Sequence, residues 1–128
     1  MFRNSKVRIA DITDGTSNTF MIGERAALFT QTPWAGVMTG GTSQTTPGAP
    51  VYVSVVDPAP TMVMARIGRK TLNDPYSEPY DFFTPHVGRG AFGFADGSVR
   101  LLSTGIDVEV LQALATRNGG ENISDTDF

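Results

Sequence analysis

An α+β fold is predicted by the 128-residue sequence: an antiparallel β-sheet with a C-terminal β-hairpin and one short C-terminal helix packed on it. Two observations favour this class. Short segments rich in β-branched and aromatic residues are separated by turn residues, and an Asp-Gly pair is followed by an apolar stripe at helical spacing. Residues 1–128 are expected to form a single globular domain, because this length suits one domain with a sizeable core.

Three segments have the composition of strands. Thr19–Glu24 and Val51–Val56 are short, apolar and β-branched, and Thr61–Ile67 is the expected neighbour of the second. Asp57-Pro58-Ala59-Pro60 is the predicted turn between those two. Together these segments predict the greater part of the sheet.

The remaining N-terminal and central residues are predicted to be mostly irregular. Part of Val7–Asn18 is expected to form a helical turn, and Gly36–Pro50, rich in Gly, Thr, Ser and Pro, a long surface loop. Asp74–Tyr80, with aromatics between prolines, is expected to pack as a loop. Residues 121–128 are acidic and are predicted to be a flexible tail.

The C-terminal hairpin is predicted around Asp96-Gly97, as a two-residue turn whose positions both need positive φ. With that turn, Phe94 faces Val99 and Phe92 faces Leu101, so that large apolar side chains share one side of the sheet. The other side would carry small and polar residues, namely Ala91, Gly93, Ala95, Ser98 and Arg100. A slip of one residue would mix the two sets.

A short helix is predicted after the hairpin. Asp107 is a suitable N-cap, and Ile106 before it can contact Leu111 one turn later. The apolar stripe consists of Val110, Leu111, Leu114 and Ala115. Asn118-Gly119-Gly120 is expected to end the helix, with glycine as the left-handed cap. Because so short a helix is unstable alone, its stripe must pack on the sheet.

The composition excludes several classes of site. The chain has no cysteine, which excludes disulfides, thiolate zinc sites and cysteine nucleophiles, and it has one histidine. Its net charge of −3 lacks the basic footprint of nucleic-acid binders. No apolar run is long enough to span a membrane, and Met1–Lys6 lacks the apolar core of a secretory signal.

Two glycine patterns are weighed against plainer interpretations. Gly88-x-Gly90-x-x-Gly93 fits a dinucleotide-binding pattern, but that site needs a strand before the glycines and a helix after them, whereas here a strand follows. Gly68-Arg69-Lys70-Thr71 resembles the end of a phosphate loop without its first glycine. Arg66, Arg69 and Lys70 are therefore interpreted as a solvated basic patch.

No catalytic or metal constellation is predicted. His86 could serve a serine triad only with a nucleophile elbow, and no Gly-x-Ser-x-Gly occurs. The acidic tail lacks the ligand spacing of a calcium loop. Asn122-Ile123-Ser124 is a glycosylation sequon by pattern alone. The sequence predicts no enzyme, no cofactor and no metal.

Two motif blocks carry a resemblance to a known family. His86 is followed by nine residues and then Asp96-Gly97, and 111–121 continues the match as LQALATRNGGE. An upstream block contains Asp14, Gly15, Thr16, Ser17 and Asn18, followed by Ile22-Gly23-Glu24. The chain resembles the prepilin-type processing-associated proteins with an H-x9-DG signature, a family that is large in planctomycete bacteria and catalogued as a domain of unknown function.

The resemblance implies a fold and a role. Intact members resemble pseudopilins, with a short leader, a long apolar helix for anchoring and polymerisation, and a β-rich head. This chain resembles only the C-terminal head region of such a protein. The implied role is a non-enzymatic structural or interaction module of the cell envelope or exterior. Its implied partners are proteins or further copies in a filament or envelope assembly.

The motif residues are expected to be structural. If the hairpin pairing continues straight back, His86 lies near Gly105 to Asp107 and can bond the Asp107 carboxylate or a backbone group. The competing interpretation makes His86 and Asp96 metal ligands, but Asp96 lies at the hairpin tip, several strand residues away. The structural role is favoured.

A ligand-binding module is the alternative function. Loop aromatics could stack on a sugar, and a small solute or calcium could bind near Trp34 or the acidic tail. The aromatics in question are Trp34, Tyr76, Tyr80, Phe82 and Phe83. Packing beneath a loop explains the same residues.

Overall fold

The computed structural model describes residues 5–25, 42–43, 54–55, 65–77, 81–121 and 123–124, with backbone alone at 42–43 and 54–55. Its elements are short 3₁₀ turns at Ile9–Asp11 and Thr16–Asn18, strands β1 (Phe20–Gly23), β2 (Thr42–Ser43), β3 (Ser54–Val55), β4 (Arg89–Phe94) and β5 (Val99–Ser103), and helix α1 (Val108–Ala113). The predicted α+β class is confirmed, and so is a helical turn within Val7–Asn18.

The main sheet has three antiparallel strands in the order β1-β4-β5, and β2 pairs with β3 in a separate two-stranded sheet. The predicted strand Thr19–Glu24 is confirmed as β1. Of Val51–Val56 only Ser54–Val55 lies within the described residues, as β3. The predicted loop Gly36–Pro50 contains β2, so the loop prediction is wrong at Thr42–Ser43, where backbone pairing forms a strand.

The third predicted strand is not observed where it can be examined. Residues 65–67 have no regular structure, whereas 61–64 and the predicted turn at 57–60 lie outside the described residues. The loop predicted at 74–80 is described to Ser77 and forms turns. In the predicted tail, Ile123 packs against the core.

The hairpin forms at the predicted place, but its predicted register is wrong by one residue. Phe92 pairs with Arg100 and Gly93 with Val99. The cause is the loop: the Phe94 N–H donates to Ser98 O at 2.9 Å, which leaves a three-residue connection rather than two. Of that connection only Gly97 has positive φ, at 88°, as in a type I turn followed by a glycine bulge.

The shift of one residue exchanges the two faces of β5. Leu102 is fully buried, whereas Val99 and Leu101 are 73% and 58% exposed on the opposite face. The prediction had placed Val99 and Leu101 in the core with Phe94. Because successive strand residues point to opposite faces, one extra loop residue is enough to bury Leu102 instead.

The core lies between the inner face of the main sheet and the α1 region. Its buried members are Phe20, Leu72, Phe92, Phe94, Leu102, Ile106, Leu111 and Leu114. Gly23 lies against the rings of Phe82 and Phe92, which leave no space for a Cβ. No helix in the described ranges has the length and apolarity needed to cross a membrane.

The start of α1 is confirmed and its end is not. The Asp107 side chain accepts the Glu109 N–H at 2.7 Å, and Ile106 and Leu111 share the core. The helix ends at Ala113, before the predicted Asn118-Gly119-Gly120 stop. Beyond Ala113, the Leu114 carbonyl accepts the N–H of Phe20 in β1 at 3.0 Å.

Candidate functional site

The Asp14 carboxylate binds the segment that follows α1. Its Oδ2 accepts the Gly119 N–H at 2.8 Å and the Thr116 hydroxyl at 2.8 Å, and its Oδ1 accepts the Gly120 N–H at 2.9 Å. Thr13 N also donates to Arg117 O at 2.7 Å. The upstream motif block is thereby bound to the TRNGGE segment at the other end of the chain.

These hydrogen bonds affect the titration of Asp14. Desolvation raises its pKa, but the N–H groups of Gly120 and Gly119 and the Thr116 hydroxyl stabilise the charged form, and the net pKa lies below the ordinary value. The pKa of Asp96 is also lowered, chiefly because the Ser98 hydroxyl and backbone N–H face its carboxylate. Both carboxylates are stabilised as anions by groups of the same chain.

The two Asp-Gly motifs meet at the hairpin tip. The Asp96 N–H donates to Thr16 O at 3.1 Å, and the Ala95 N–H donates to Thr19 O at 2.8 Å. Thr16 is in the 3₁₀ turn that also contains Ser17 and Asn18, and the Asn18 N–H donates to Gly15 O at 3.1 Å. The backbone carbonyls of Thr16 and Thr19, in and just after the upstream motif block, therefore accept hydrogen bonds from the loop that contains Asp96.

Asp96 itself stabilises the loop that contains it. Its Oδ1 accepts the Ser98 N–H at 2.9 Å, across Gly97. This bond holds Asp96 in the turn, and the positive φ of Gly97 completes the loop. Asp96 and Gly97 thus set the length of the loop, and through it the register of β5.

His86 contacts Glu24, and the expected contact with Asp107 is wrong. His86 Nε2 lies 3.0 Å from Glu24 Oε1, with the imidazole side chain 71% exposed, while Asp107 caps α1. The pairing does continue back from the strand, because the Thr104 N–H donates to Gly88 O at 3.0 Å. Residues 84–87 then pass the β1 side of the sheet rather than the β5 side, which brings His86 to Glu24.

Glu24 is a site residue that the sequence did not single out by chemistry. Its Oε2 accepts the Ala91 N–H at 3.1 Å and the Thr84 hydroxyl at 3.2 Å, while its own N–H donates to Ala91 O at 3.0 Å. Just after the end of β1, the Glu24 carboxylate thus accepts the Ala91 N–H, as a backbone carbonyl of a paired strand would. Its position in the Ile22-Gly23-Glu24 block was the one available signal.

Thr84 and Asn73 complete this cluster. Asn73 Nδ2 donates to Thr84 O at 3.0 Å, and the Thr84 N–H donates to Asn73 Oδ1 at 2.8 Å. The His86 N–H donates to the Thr84 hydroxyl at 3.1 Å. The cluster joins the 71–77 turns, residues 84–86 and β4 through one buried threonine.

The remaining candidate residues are distributed as follows. His86 lies before β4 and Asp96 after it, so that the whole six-residue strand is between them. Among the described residues no group of three acidic, histidine or cysteine side chains is placed to hold a metal. Arg66 and Arg69 of the expected solvated patch are exposed and Lys70 is half-buried. Arg66 and Lys70 also face the buried Asp81, at 3.5 and 3.9 Å.

The aromatic side chains proposed as a sugar platform do not form one surface where they are described. Phe82 packs against Phe20 and Phe92 with ring centroids 5.9 and 5.1 Å apart, whereas Tyr76 is 66% exposed. The backbone of Phe83 forms an isolated parallel β-bridge with that of Arg25. Trp34 and Tyr80 lie outside the described residues.

The geometry defines a small α+β domain in which the 14–18 block binds the tip of the C-terminal hairpin and the segment after α1. The model of a family described as a protein of unknown function, DUF1559, matches residues 1–109, and the chain belongs to that family. Neither the curated proteins nor the solved structures contain a match to the chain. The predicted membership of a family of unknown function is confirmed at this level.

Proposed function

We propose that this chain is a non-enzymatic structural or interaction module, the head of a pseudopilin-like protein of the cell envelope or the exterior. Membership of the family and the antiparallel sheet with the short helix α1 support this proposal at the level of the fold. Its partners are proteins, including further copies of the chain. The H-x9-DG signature is the link to prepilin-like proteins.

One observation carries the proposal: polar side-chain atoms of Asp14, Asp96 and His86 have partners within the chain. Both oxygens of Asp14 accept hydrogen bonds, Asp96 bonds Ser98, and His86 bonds Glu24. A catalytic acid, base or nucleophile needs a polar atom directed at a substrate. Residues used in this way stabilise a surface rather than perform chemistry on it.

Location is tested on intact cells of the organism that encodes the chain. The full-length gene product is given a small tag after the chain, and cells are treated with a protease that cannot enter them. An extracytoplasmic head is digested before lysis, while a cytoplasmic control protein survives. Survival of the tagged head until lysis would contradict the proposed location.

Ligand binding is the competing function and is tested on the purified chain by thermal shift. Ligands that bind the native state alone raise the unfolding midpoint. Calcium chloride and a panel of neutral oligosaccharides are expected to leave the midpoint unchanged. A saturable rise that is lost in Tyr76→Ala would establish a sugar site, and a calcium-dependent rise would establish a cation site. Either result would replace the proposed function.

A further inference from the structure

The chain contains a single Asn-Gly pair, Asn118-Gly119, in the segment that follows α1. A glycine after asparagine favours cyclisation of the asparagine side chain, because glycine has no Cβ to obstruct the approach of its own nitrogen and its backbone rearranges easily. Both residues are exposed. Water can therefore reach the carboxamide of Asn118 and any ring that it forms with Gly119.

The reaction open to this pair is deamidation, and water is its only co-reactant. The Gly119 nitrogen, once it has given up its proton, attacks Cγ of Asn118. The bond between Cγ and Nδ2 breaks, and the leaving nitrogen takes up a proton and departs as ammonia. Water then opens the cyclic imide at either of its two carbonyl carbons, which leaves aspartate or isoaspartate at position 118.

In the folded chain Asp14 holds the attacking nitrogen. The Gly119 N–H donates to Asp14 Oδ2 at 2.8 Å, and the next N–H, that of Gly120, donates to Oδ1 at 2.9 Å. These two bonds to one carboxylate fix the backbone at Gly119. Attack on Asn118 requires removal of the same proton that forms the first of them.

The charge of Asp14 opposes this step as well. Desolvation raises the pKa of Asp14, but its three hydrogen-bond donors outweigh it, and the net pKa lies below the ordinary value. The carboxylate is thus an anion and a weak base at neutral pH. Removal of the Gly119 proton would place a second negative charge against it, which is unfavourable.

We propose that Asn118 is a site of spontaneous deamidation and that Asp14 suppresses the reaction by holding the Gly119 N–H. The reaction proceeds from molecules in which the Asp14 bonds have opened locally while the rest of the fold persists. Isoaspartate inserts one extra carbon into the backbone before Gly119, so the two N–H groups no longer match the spacing of the carboxylate oxygens. The modification therefore releases the segment after α1 from Asp14 irreversibly.

Peptide mapping by mass spectrometry tests the proposal on the full chain, incubated at neutral pH for increasing times. The parent should deamidate at Asn118 slowly when folded and much faster in concentrated urea. Asp14→Ala, under native conditions, should react roughly 5- to 30-fold faster than the parent, because loss of the acceptor raises the open population by about that factor. Asn73 is the internal reference, since both of its amide atoms bond Thr84.

Glu24→Ala is the matched control for general destabilisation. It also removes a carboxylate that accepts a backbone N–H, but at the opposite end of β1 from Asp14. Its rate at Asn118 should equal that of the parent. Equal acceleration in both variants would assign the reaction to general unfolding, and slower reaction in Asp14→Ala would make the carboxylate its base. Either result would overturn the proposal, as would a folded parent that reacts as fast as the chain in urea.

A measurement on the parent alone makes the test independent of the folding of the variants. Amide hydrogen exchange followed by NMR reports the open population at Gly119. The slowing of exchange at Gly119, relative to the unfolded chain, should match the slowing of deamidation at Asn118. Unprotected exchange at Gly119 combined with slow deamidation would show that the Asp14 bond is not the protecting feature.

The product provides the final readout. Chains with isoaspartate at position 118, separated by ion exchange, should unfold at a lower urea concentration than the parent. An unchanged unfolding midpoint would contradict the release of the segment after α1 from Asp14.

Discussion

The Asp14 carboxylate accepts the backbone N–H of Gly119 at 2.8 Å, across 105 positions of the chain. The same carboxylate also binds Gly120 and Thr116. One side chain of the upstream motif block therefore determines the path of the segment after α1. This long-range bond gives the two blocks, which are far apart in the sequence, a shared structural role.

Replacement of Asp14 is expected to destabilise the chain. Asp14→Ala leaves the backbone N–H groups of Gly119 and Gly120 without this acceptor, at a cost of about 1–2 kcal/mol at a partly solvated site. The Thr116 hydroxyl can still donate to Ala113 O or Glu121 Oε2. Equilibrium denaturation in urea measures the loss of stability.

Asp11→Ala, which removes the exposed carboxylate that pairs with the Arg8 side chain and accepts the Arg8 N–H, should cost less than Asp14→Ala. Equal losses in the two variants would contradict the role assigned to Asp14.

The lowered pKa of Asp14 predicts a dependence of stability on pH. The folded pKa lies below the unfolded value of about 3.9, so the ionised carboxylate stabilises the fold above that value. This contribution is lost as pH falls through the folded pKa. Urea titrations between pH 7 and pH 2 should therefore show a shallower decline for Asp14→Asn than for the parent, and parallel curves would refute the assignment.

The observed register predicts opposite results at two adjacent leucines. Leu102→Ala removes a fully buried side chain and should cost about 2–5 kcal/mol, whereas Leu101→Ala should change stability by about 0.5 kcal/mol or less. Phe94→Ala, at a buried position, should cost about 3–5 kcal/mol. In the register with a two-residue turn the two leucines exchange roles, so the order of their losses decides between the registers.

Gly97→Val should destabilise the hairpin through backbone conformation alone. No atom lies within 4 Å of the position that a Cβ would occupy, so packing does not contribute, but φ is +88°. The left-handed region costs an L-residue roughly 1–2 kcal/mol, and a β-branched side chain is the least tolerant of it. Gly105→Val is the control with φ outside that region. A thermal midpoint of Gly97→Val equal to that of the parent would show that the bulge is absent.

The Glu24 cluster predicts unequal effects of substituting Glu24 and His86 on stability. Glu24→Ala deprives the Ala91 N–H of its acceptor and should cost about 1–3 kcal/mol, whereas the Thr84 hydroxyl can still donate to Arg89 O. His86→Ala removes a mostly exposed side chain and should cost less than about 1 kcal/mol. A double-mutant cycle in urea measures their coupling, expected at a few tenths of a kcal/mol. A larger loss from His86→Ala would assign the histidine a role beyond this pair.

Local features were predictable because their causes lie within a few residues. The Asp107 cap and the burial of Ile106 and Leu111 in one core depend on spacing within about one helical turn, and both were predicted from the sequence. The existence of the hairpin followed in the same way from Asp96-Gly97. Membership of a family of unknown function followed from short motifs at fixed spacing.

The register of β5 and the contact of His86 depended on structure beyond these local patterns. Asp-Gly is compatible with both a two-residue and a three-residue connection, and the choice is made by whether Leu101 or Leu102 is buried under α1. His86 reaches Glu24 because residues 84–86 cross to the β1 edge, held by Asn73 and Thr84. Local periodicity thus specified which elements form, whereas the burial of one face and bonds between distant residues decided how those elements pair.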